Sequence, residues 1–352
     1  MYLAGLGTAT PPQRYTKADC WVAFTAAPWF ERLDRGARAI AEFVLSRDNG
    51  IEARRLALGS LQEAFAIDPG TLHARFLAHA PALATQAAER ALAEAGCTTD
   101  DIDAVVISTC TGYLCPGLTS YVAQRLGLRP EVQALDLVGQ GCGAALPNWR
   151  MAATLLASGH CERVLSVCVE VCSAAMYLDN DPGVLISACL FGDGAGAAVL
   201  CAAPPAGRRS VRWRTAASLI DPAARDALRF EQRDGLLRNI LTREVPAMAA
   251  DYAARVLASA LTEQGLTRAD LNGWILHAGG RDVLTALRER LDLTEADQQH
   301  SAAMLREYGN LSSAFVYFVL QAALTDAMPG GLWWMAAFGA GFSSYGALLE
   351  VA

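Results

Sequence analysis

Residues 190–200 read LFGDGAGAAVL, and residues 337–349 read AFGAGFSSYGALL. In both stretches a phenylalanine is followed by a glycine-rich bend and then by an apolar segment. A shared pattern at two places in one chain indicates an internal duplication. Residues 202–208, rich in alanine and proline, form the natural boundary. We therefore predict two similar halves, residues 1–205 and 206–352, each ending in a strand, a glycine bend and a second strand.

Outward from these stretches, strand and helix patterns alternate. Apolar runs predict strands at residues 102–108, 132–138, 163–170, 197–201, 271–277, 332–338 and 343–351. Amphipathic or alanine-rich runs predict helices at residues 84–95, 116–126, 144–158, 251–263, 281–291 and 311–326. Such alternation, with strands that are apolar on both faces, predicts an α/β protein whose sheets are covered by helices.

The composition excludes several classes of protein. Of the 352 residues, 53% are hydrophobic and 18% charged, which favours a buried core over disorder. The net charge of −7 and the absence of a basic block argue against nucleic-acid binding. No run approaches the roughly 18–20 apolar residues of a membrane span. Residues 1–13 lack a signal-peptide pattern, so we expect a cytoplasmic protein.

One of the ten cysteines stands out. Cys142 lies in VGQGCGAA, residues 138–145, between a predicted strand and a predicted helix. The flanking glycines leave its sulfur accessible, and a helix N-terminus favours the thiolate. Cys142 is therefore a candidate nucleophile, although a small residue filling a tight turn would look the same. No paired C-x-x-C motif is present, so we expect no metal site.

Among the five histidines, His277 has the placement of a functional residue. It ends a predicted buried strand and precedes Ala278, Gly279 and Gly280. A polar residue at such a strand end is typical of an active site, and the alternative is a structural histidine in the core. His300, in a polar run, is expected to be exposed.

Asn310 is the third candidate, in YGNLSS, residues 308–313. It could cap the following helix or donate its amide to an oxyanion. A cysteine, a histidine and an asparagine at three loop ends are compatible with acyl transfer. The same order occurs in papain-like proteases, so order alone leaves the reaction open.

Five motifs carry a resemblance to a known family. They are GQGCGAALPNWRMA (139–152), LFGDGAGAAVL (190–200), HAGGRDVL (277–284), EYGNLSSA (307–314) and AFGAGFSSYGALL (337–349). With them the chain resembles the thiolase superfamily and, within it, the chalcone synthase-like type III polyketide synthases of the bacterial type. The resemblance implies a duplicated thiolase fold with αβαβα layers. HAGGRD separates it from the ketoacyl synthases of the third class.

The resemblance also implies roles for the three candidates. Cys142 would accept the acyl starter and hold the growing polyketide. His277 and Asn310 would stabilise the thioester oxyanion and the enolate formed when malonyl-CoA loses carbon dioxide. His277 would in addition keep Cys142 as a thiolate.

Further positions follow from the same resemblance. Phe191 matches a gate phenylalanine, and Arg238 falls near the second, so that this aromatic gate is expected to be absent or reshaped. Cys115 matches a residue that reaches across a dimer. Other positions assigned to substrate binding are Cys110, Cys172, Ala175, Gly279, Ser312, Gly339 and Gly341. Candidates to hold the phosphates of coenzyme A, or else ordinary surface arginines, are Arg47, Arg54 and Arg55.

The resemblance implies a homodimeric enzyme that condenses malonyl-CoA repeatedly onto an acyl-CoA starter, without a cofactor. Small residues at Cys110, Cys172 and Ala175 favour a long aliphatic starter and alkylpyrone or alkylresorcinol products. One alternative is a ketoacyl synthase of the third class, which makes a single condensation. The other is a non-catalytic protein with the thiolase fold.

Overall fold

The computed structural model describes residues 1–352. Its strands are β1 (Tyr2–Ala9), β2 (Arg14–Thr16), β3 (Ala53–Arg55), β4 (Ala104–Ser108), β5 (Gln133–Leu137), β6 (Arg163–Glu170), β7 (Gly194–Cys201), β8 (Val211–Ile220), β9 (Leu228–Arg233), β10 (Leu236–Leu241), β11 (Leu271–Leu276), β12 (Gly331–Gly339) and β13 (Ser343–Val351). Its helices are α1 (Lys17–Ala26), α2 (Pro28–Arg32), α3 (Arg35–Ser46), α4 (Pro69–Ala95), α5 (Leu118–Leu126), α6 (Ala145–Ala157), α7 (Pro182–Leu190), α8 (Val245–Gln264), α9 (Arg281–Leu291), α10 (Gln299–Tyr308) and α11 (Phe315–Thr325).

Nine strands form one sheet in the order β11-β12-β13-β8-β1-β7-β6-β4-β5. In the first half, β4 and β6 are parallel, while β6–β7 and β7–β1 are antiparallel. In the second half, β11 and β12 are parallel, while β12–β13 and β13–β8 are antiparallel. The same succession of pairings on both sides confirms the duplicated α/β fold.

The two halves of the sheet meet at a single residue pair, Tyr2 of β1 and Arg212 of β8. Helices α6 and α11 contact strands of both halves and form the middle layer. Helix α4 covers the outer face of the first half, and α8, packed on α9, covers that of the second. This is the αβαβα order of layers. In the middle layer the indole of Trp149 donates a hydrogen bond to the hydroxyl of Tyr317 at 3.0 Å.

Helix α4 is longer than its alanine-rich part predicts. It begins at Pro69 because the Asp68 side chain caps it by accepting from the amide of Thr71, and it ends before Gly96 at φ 65°. A Cβ on Gly5 or Gly7 of β1 would lie 2.2 Å from a carbonyl oxygen of α4. These glycines therefore allow α4 to lie directly on the sheet.

The first half does not end in the predicted strand, bend and strand. Residues 182–190 form helix α7, which Asp181 caps and Pro182 begins. The short apolar run of residues 187–191 fits a buried helix as well as a strand, and the Asp-Pro start decides for the helix. Only the second half has the hairpin, between β12 and β13.

Several elements were not predicted from sequence, among them β1, β8 and α10, and two such regions lie outside the main sheet. Helices α1 to α3 pack beside α7 and enclose a separate apolar cluster. Strands β9 and β10 pair as a hairpin outside the main sheet. Their turn is Asp234-Gly235, with both φ angles positive, a sequence that favours tight hairpins.

Membrane spans are not found among the helices, since none is both long enough and apolar enough to cross a bilayer.

Candidate active site

Cys142 lies in a single helical turn, residues 141–143, between β5 and α6. Gly141 has φ 56°, and a Cβ there would lie 2.7 Å from the amide nitrogen of Ala340. A Cβ on Gly143 would lie 2.8 Å from the ring of Tyr345. Both glycines are needed because the turn packs against the second half of the protein. The turn thereby holds the cysteine at the junction between the halves.

A cavity of about 730 Å³ opens beside Cys142. It is lined largely by apolar residues from both halves of the chain. The residues predicted from sequence that line it are Cys110, Cys142, Cys172, Ala175, Phe191 and Ser312. The structure thus brings together the candidate nucleophile and the positions assigned to the substrate wall.

His277 and Asn310 lie on adjacent loops of the second half. The Asn310 side-chain amide donates to the carbonyl of Gly279 at 3.2 Å, and its oxygen accepts from the amide of Ser312 at 2.8 Å. Asn310 also forms a β-bridge to Phe191, which joins its loop to the first half. The imidazole of His277 is buried and packs edge-on against Phe315, and its Nδ1 has no hydrogen-bond partner.

Burial controls the ionisation of both candidate catalytic groups. It raises the pKa of the Cys142 thiol to about 12, opposed by the Ser312 hydroxyl that donates to the sulfur at 3.3 Å. It lowers the pKa of His277 to about 3. No hydrogen bond joins the two side chains, so the assistance of His277 to the Cys142 thiolate stays a prediction.

Glu170, at the end of β6, was missed by the sequence analysis. Its buried carboxylate accepts from Ser313 at 2.5 Å and from Thr111 at 2.9 Å. The Ser312 oxygen lies 3.3 Å both from this carboxylate and from the Cys142 sulfur, and its one proton can be donated to either of them. Burial raises the pKa of this carboxyl group. Ser312 therefore links the carboxylate to the Cys142 sulfur. A charged residue at the end of an otherwise apolar strand was the signal that could have identified it.

Ser312 itself is held at φ 51°, in the left-handed region that non-glycine residues rarely adopt. This backbone conformation, fixed by the Asn310 side chain, keeps its hydroxyl between Cys142 and Glu170.

We expect Ser312→Ala to slow the alkylation of Cys142 by iodoacetamide. A hydrogen bond to a charged group contributes about 1.5–3 kcal/mol, so losing it should lower the rate at neutral pH roughly tenfold or more. Removing a donor to the thiolate raises its pKa, which should move the rate profile to higher pH. The measurement is peptide mass spectrometry of Cys142 over time. Ser158→Ala, on the surface, is the control, and equal rates in all three proteins would contradict the contact.

Other predicted residues fall around the cavity. A Cβ on Gly339 would lie 2.3 Å from the carbonyl oxygen of Gln140, and Gly341 has φ 86°. These two glycines let the turn between β12 and β13 approach Cys142, and Ala340 between them lines the cavity. Cys115 is exposed and does not line the cavity of its own chain.

Arg238 lies outside the predicted site, which corrects that assignment. Its side chain does not line the cavity, its guanidinium pairs with three carboxylates, and the next residue, Asn239, lines the cavity instead. Neighbouring residues of a strand face opposite sides, so an alignment displaced by one residue selects the wrong face. Phe230, paired with Asn239 across the hairpin, also lines the cavity, so an aromatic side chain is present on this wall after all.

The three candidate arginines differ in accessibility. Arg54 is buried and donates to the carbonyls of Ala188 and Phe191, a placement that argues against a phosphate contact. Arg55 forms an ion pair with Glu307 at 2.9 Å. Arg47 is exposed at the end of α3. His300, expected to be exposed, is instead buried, 3.2 Å from Asp326, because it lies on the inner face of α10.

Comparison with known families identifies the chain's relatives. Residues 66–204 match the model "Chalcone and stilbene synthases, N-terminal domain", and residues 214–344 match the corresponding C-terminal domain. The chain belongs to the chalcone and stilbene synthase family. It is thus a type III polyketide synthase, an enzyme of the acyltransferase type, and this favours the first of the three functions considered from sequence.

Three bacterial relatives are similar over most of their length. The 1,3,6,8-tetrahydroxynaphthalene synthase of Streptomyces peucetius subsp. caesius is 33% identical over 99% of this chain and 92% of its own. The 3,5-dihydroxyphenylacetyl-CoA synthase of Streptomyces toyocaensis is 30% identical over 93% of this chain and 84% of its own. The α-pyrone synthesis polyketide synthase-like Pks18 of Mycobacterium tuberculosis is 28% identical over 99% and 91%.

Solved structures agree with this family. PKS-I of the brown alga Ectocarpus siliculosus superposes with a TM-score of 0.89 at 25% identity, over 99% of this chain and 98% of that chain. The tetrahydroxynaphthalene synthase of Streptomyces coelicolor, at 24% identity and a TM-score of 0.86, shares the fold over 99% of both chains.

Proposed function

We propose that this type III polyketide synthase extends a coenzyme A-linked acyl starter, held on Cys142, by repeated decarboxylative condensation with malonyl-CoA. The observation that carries the proposal is the position of Cys142, at a helix N-terminus and at the wall of a cavity of about 730 Å³ built by both halves. A nucleophile at the wall of a largely apolar cavity can hold a reactive chain against apolar side chains.

In the loading step, the Cys142 sulfur attacks the thioester carbonyl of the starter as a thiolate. A new carbon–sulfur bond forms, the bond to coenzyme A breaks, and coenzyme A leaves as a thiolate. The N–H groups of His277 and Asn310 stabilise the oxyanion between these two events. Burial lowers the pKa of His277 to about 3, so the imidazole is neutral and can donate through its one N–H.

In the condensation step, malonyl-CoA loses carbon dioxide, and the electron pair of the broken bond becomes an enolate. The imidazole N–H of His277 and the side-chain amide of Asn310 stabilise its oxygen. The enolate carbon then attacks the thioester carbonyl on Cys142, and the Cys142 sulfur leaves as a thiolate, so that the extended chain is now a thioester of coenzyme A. The Cys142 thiolate takes the chain back by attacking that thioester, and coenzyme A leaves as a thiolate. Decarboxylation supplies the nucleophilic carbon, so we propose that no metal or redox cofactor takes part.

We propose that the nucleotide end of coenzyme A binds at a surface cluster of Lys17, Arg47, Arg281 and Arg306. Lys17 donates to the carbonyl of Arg47, and the guanidinium of Arg47 lies 4.8 Å from the ring centre of the exposed Phe43. Cations suit the phosphates, and the aromatic ring with its stacked guanidinium suits the adenine. Arg281 lies 4.0 Å from Asp48 and Arg306 lies 3.7 Å from Glu52, so a phosphate would have to replace these carboxylates. The two arginines lie four residues from His277 and Asn310 respectively.

We propose an aliphatic starter, with alkylpyrone or alkylresorcinol products. A second pocket of about 490 Å³, lined almost wholly by apolar residues beneath α1 and α3, shares Leu56, Met176 and Ala188 with the main cavity. These shared residues would let an alkyl chain extend beyond the wall formed by Cys110, Cys172 and Ala175. The relative named for α-pyrone synthesis is consistent with pyrone products.

Incubation with malonyl-CoA and lauroyl-CoA tests the function. Pyrones or resorcinols that carry the lauroyl chain support it, a single β-keto product would indicate a one-step ketoacyl synthase, and no turnover would contradict catalysis. Preference for malonyl-CoA alone as starter would reject the aliphatic starter and leave the iterative condensation in place.

Ala175→Trp should shift the starter preference from long to short acyl-CoA. Loss of contact with two methylenes, at about 0.8 kcal/mol each, corresponds to roughly tenfold in kcat/KM. The measurement is kcat/KM across starters of increasing length, with Ala203→Trp on the surface as control. An unchanged preference in a well-folded variant would refute the assignment of this wall.

We also propose a homodimer. Strand β5 ends the nine-stranded sheet with one unpaired edge, and large apolar side chains at Tyr113 and Val138 are exposed beside it. Such an edge is usually covered, and a second copy of the chain would do so. Cys115 would then lie near the partner's cavity. Light scattering at micromolar concentration should give twice the 37.4 kDa of the chain, and a monomer mass would contradict the proposal.

Cytoplasmic location is a further part of the proposal. All ten cysteines are free in the structure, which suits a reducing compartment. Fractionation of the native host, with detection of the chain in the soluble fraction, tests it.

A further inference from the structure

The hairpin of β9 and β10 forms one wall of the cavity. It is a two-stranded sheet that shares no strand pairing with the main sheet. Phe230 of β9 and Asn239 of β10, directly paired across the hairpin, both line the cavity. The position of this wall therefore depends on side-chain contacts rather than on the backbone ladder of the main sheet.

Arg238 supplies the principal contacts. Its side chain is only 10% exposed, and each guanidinium nitrogen faces a different carboxylate. Nε lies 2.8 Å from Asp179, Nη1 lies 3.0 Å from Glu231, and Nη2 lies 3.4 Å from Asp181. Arg238 is the only cation paired with Asp179 and Asp181. The group of four residues, Arg238 with Asp179, Asp181 and Glu231, is called the carboxylate clamp below.

The clamp joins the hairpin to the opposite wall of the cavity. Asp179 and Asp181 follow Tyr177, which lines the cavity, and Asp181 caps α7, which carries the lining residues Ser187 and Ala188. Without the guanidinium, two carboxylates of this segment would face a third on the hairpin. Like charges at such distances repel, and their partial burial weakens screening by salt.

Leu228, Leu236 and Leu241 of the hairpin pack against the neighbouring apolar clusters, and two hydrogen bonds also attach it. The Asn239 amide donates to the Ser187 hydroxyl at 2.9 Å, and the carbonyl of Leu228 accepts from Gly341 at 2.9 Å. These are single neutral hydrogen bonds. They would keep the hairpin folded over the cavity but give it less resistance to displacement than the clamp does.

We propose that Arg238 is a positioning residue for polyketide synthesis, which fixes the β9–β10 wall and thereby sets how far the chain on Cys142 grows before release. Arg238 touches no substrate; it acts through Phe230 and Asn239. The inference rests on the proposed function, because it concerns the number of condensations that occur in the same cavity.

The test compares Arg238→Met with Arg233→Met. Arg233 lies on the same hairpin, is exposed and has no ion pair, so it is a matched control. Products from malonyl-CoA and one acyl-CoA starter are separated by mass, and the ratio of products that differ by one malonyl-derived unit is measured per folded protein. We expect Arg238→Met to change this ratio at least fivefold, Arg233→Met to leave it unchanged, and Arg238→Lys to restore it in part.

Two measurements distinguish a displaced β9–β10 wall from a general loss of protein stability. A loss of stability would lower all product amounts together, whereas displacement of the wall changes their ratio and leaves the alkylation rate of Cys142 unchanged. If Arg238→Met does not fold, Asp179→Asn removes one contact of the clamp and should shift the ratio in the same direction. An unchanged ratio in every folded clamp variant would overturn the inference, while absence of any extension by the wild type would instead reject the proposed function.

Discussion

Cys142→Ala should abolish condensation while leaving the fold intact. The variant removes the only cysteine that lies at a helix N-terminus and lines the cavity, so the starter has no sulfur on which to be held. Loss of a catalytic nucleophile lowers turnover by at least about 10³-fold. The measurement is product formation from malonyl-CoA and an acyl-CoA, together with intact-protein mass spectrometry for the acyl adduct.

Cys110 is the neighbouring thiol that could carry the acyl group instead of Cys142. Cys110 lines the same cavity, but its sulfur lies 3.4 Å from the Glu170 carboxylate. Burial, and then this negative charge, raises the pKa of Cys110, so its thiolate is disfavoured. Cys172→Ala, which removes another cavity thiol, should retain the adduct. An acyl group mapped to Cys110 or Cys115 in the wild type would contradict the assignment of Cys142.

Asn310→Ala should lower malonyl-CoA decarboxylation by about 10²–10³-fold, the usual cost of one oxyanion donor, while Cys142 still loads its starter. The reason is that the amide donates to an enolate that exists only in the decarboxylation step. Release of carbon dioxide from labelled malonyl-CoA measures this step, and the acyl adduct on Cys142 measures loading.

Asn310→Ala could also affect Cys142 indirectly, so it needs a control variant. The Asn310 side chain also orders the loop that places Ser312, so its loss could disturb Cys142. Asn272→Ala, an exposed asparagine at the far end of β11, reports the effect of losing an ordinary amide. Equal decreases in loading and decarboxylation in Asn310→Ala would show that the residue serves the nucleophile and not the enolate.

The sequence was most informative where local chemistry and tertiary structure agree. The bounds of β6, α9 and β13 coincide with their apolar or amphipathic runs, since those segments have one strong period and clear ends. The turn at Cys142 could be located because its glycines are required by contacts with Ala340 and Tyr345. The domain boundary at residues 205 and 206 stays a prediction.

Features that depend on packing were predicted less well. Helix α7 was taken for a strand because a short, wholly apolar run has no period to read. Arg238 was assigned to the cavity because the alignment was displaced by one residue, and neighbouring residues of a strand face opposite sides of the sheet. Glu170 was missed because its importance comes from serines and threonines far away in the sequence, which only the folded chain brings to its carboxylate.

The two halves of the sheet meet at the single pair Tyr2–Arg212, so the backbone ladder contributes little to keeping them in register. The helices of the middle layer therefore hold the two halves in register. Helix α6 begins just after Cys142, and α11 begins just after Asn310 and Ser312. A shift of one half against the other would separate Cys142 from His277 and Asn310 before either half lost its own secondary structure. On heating, activity should therefore disappear ahead of the loss of helical circular dichroism, and turnover would be the more sensitive gauge of how well the halves are docked.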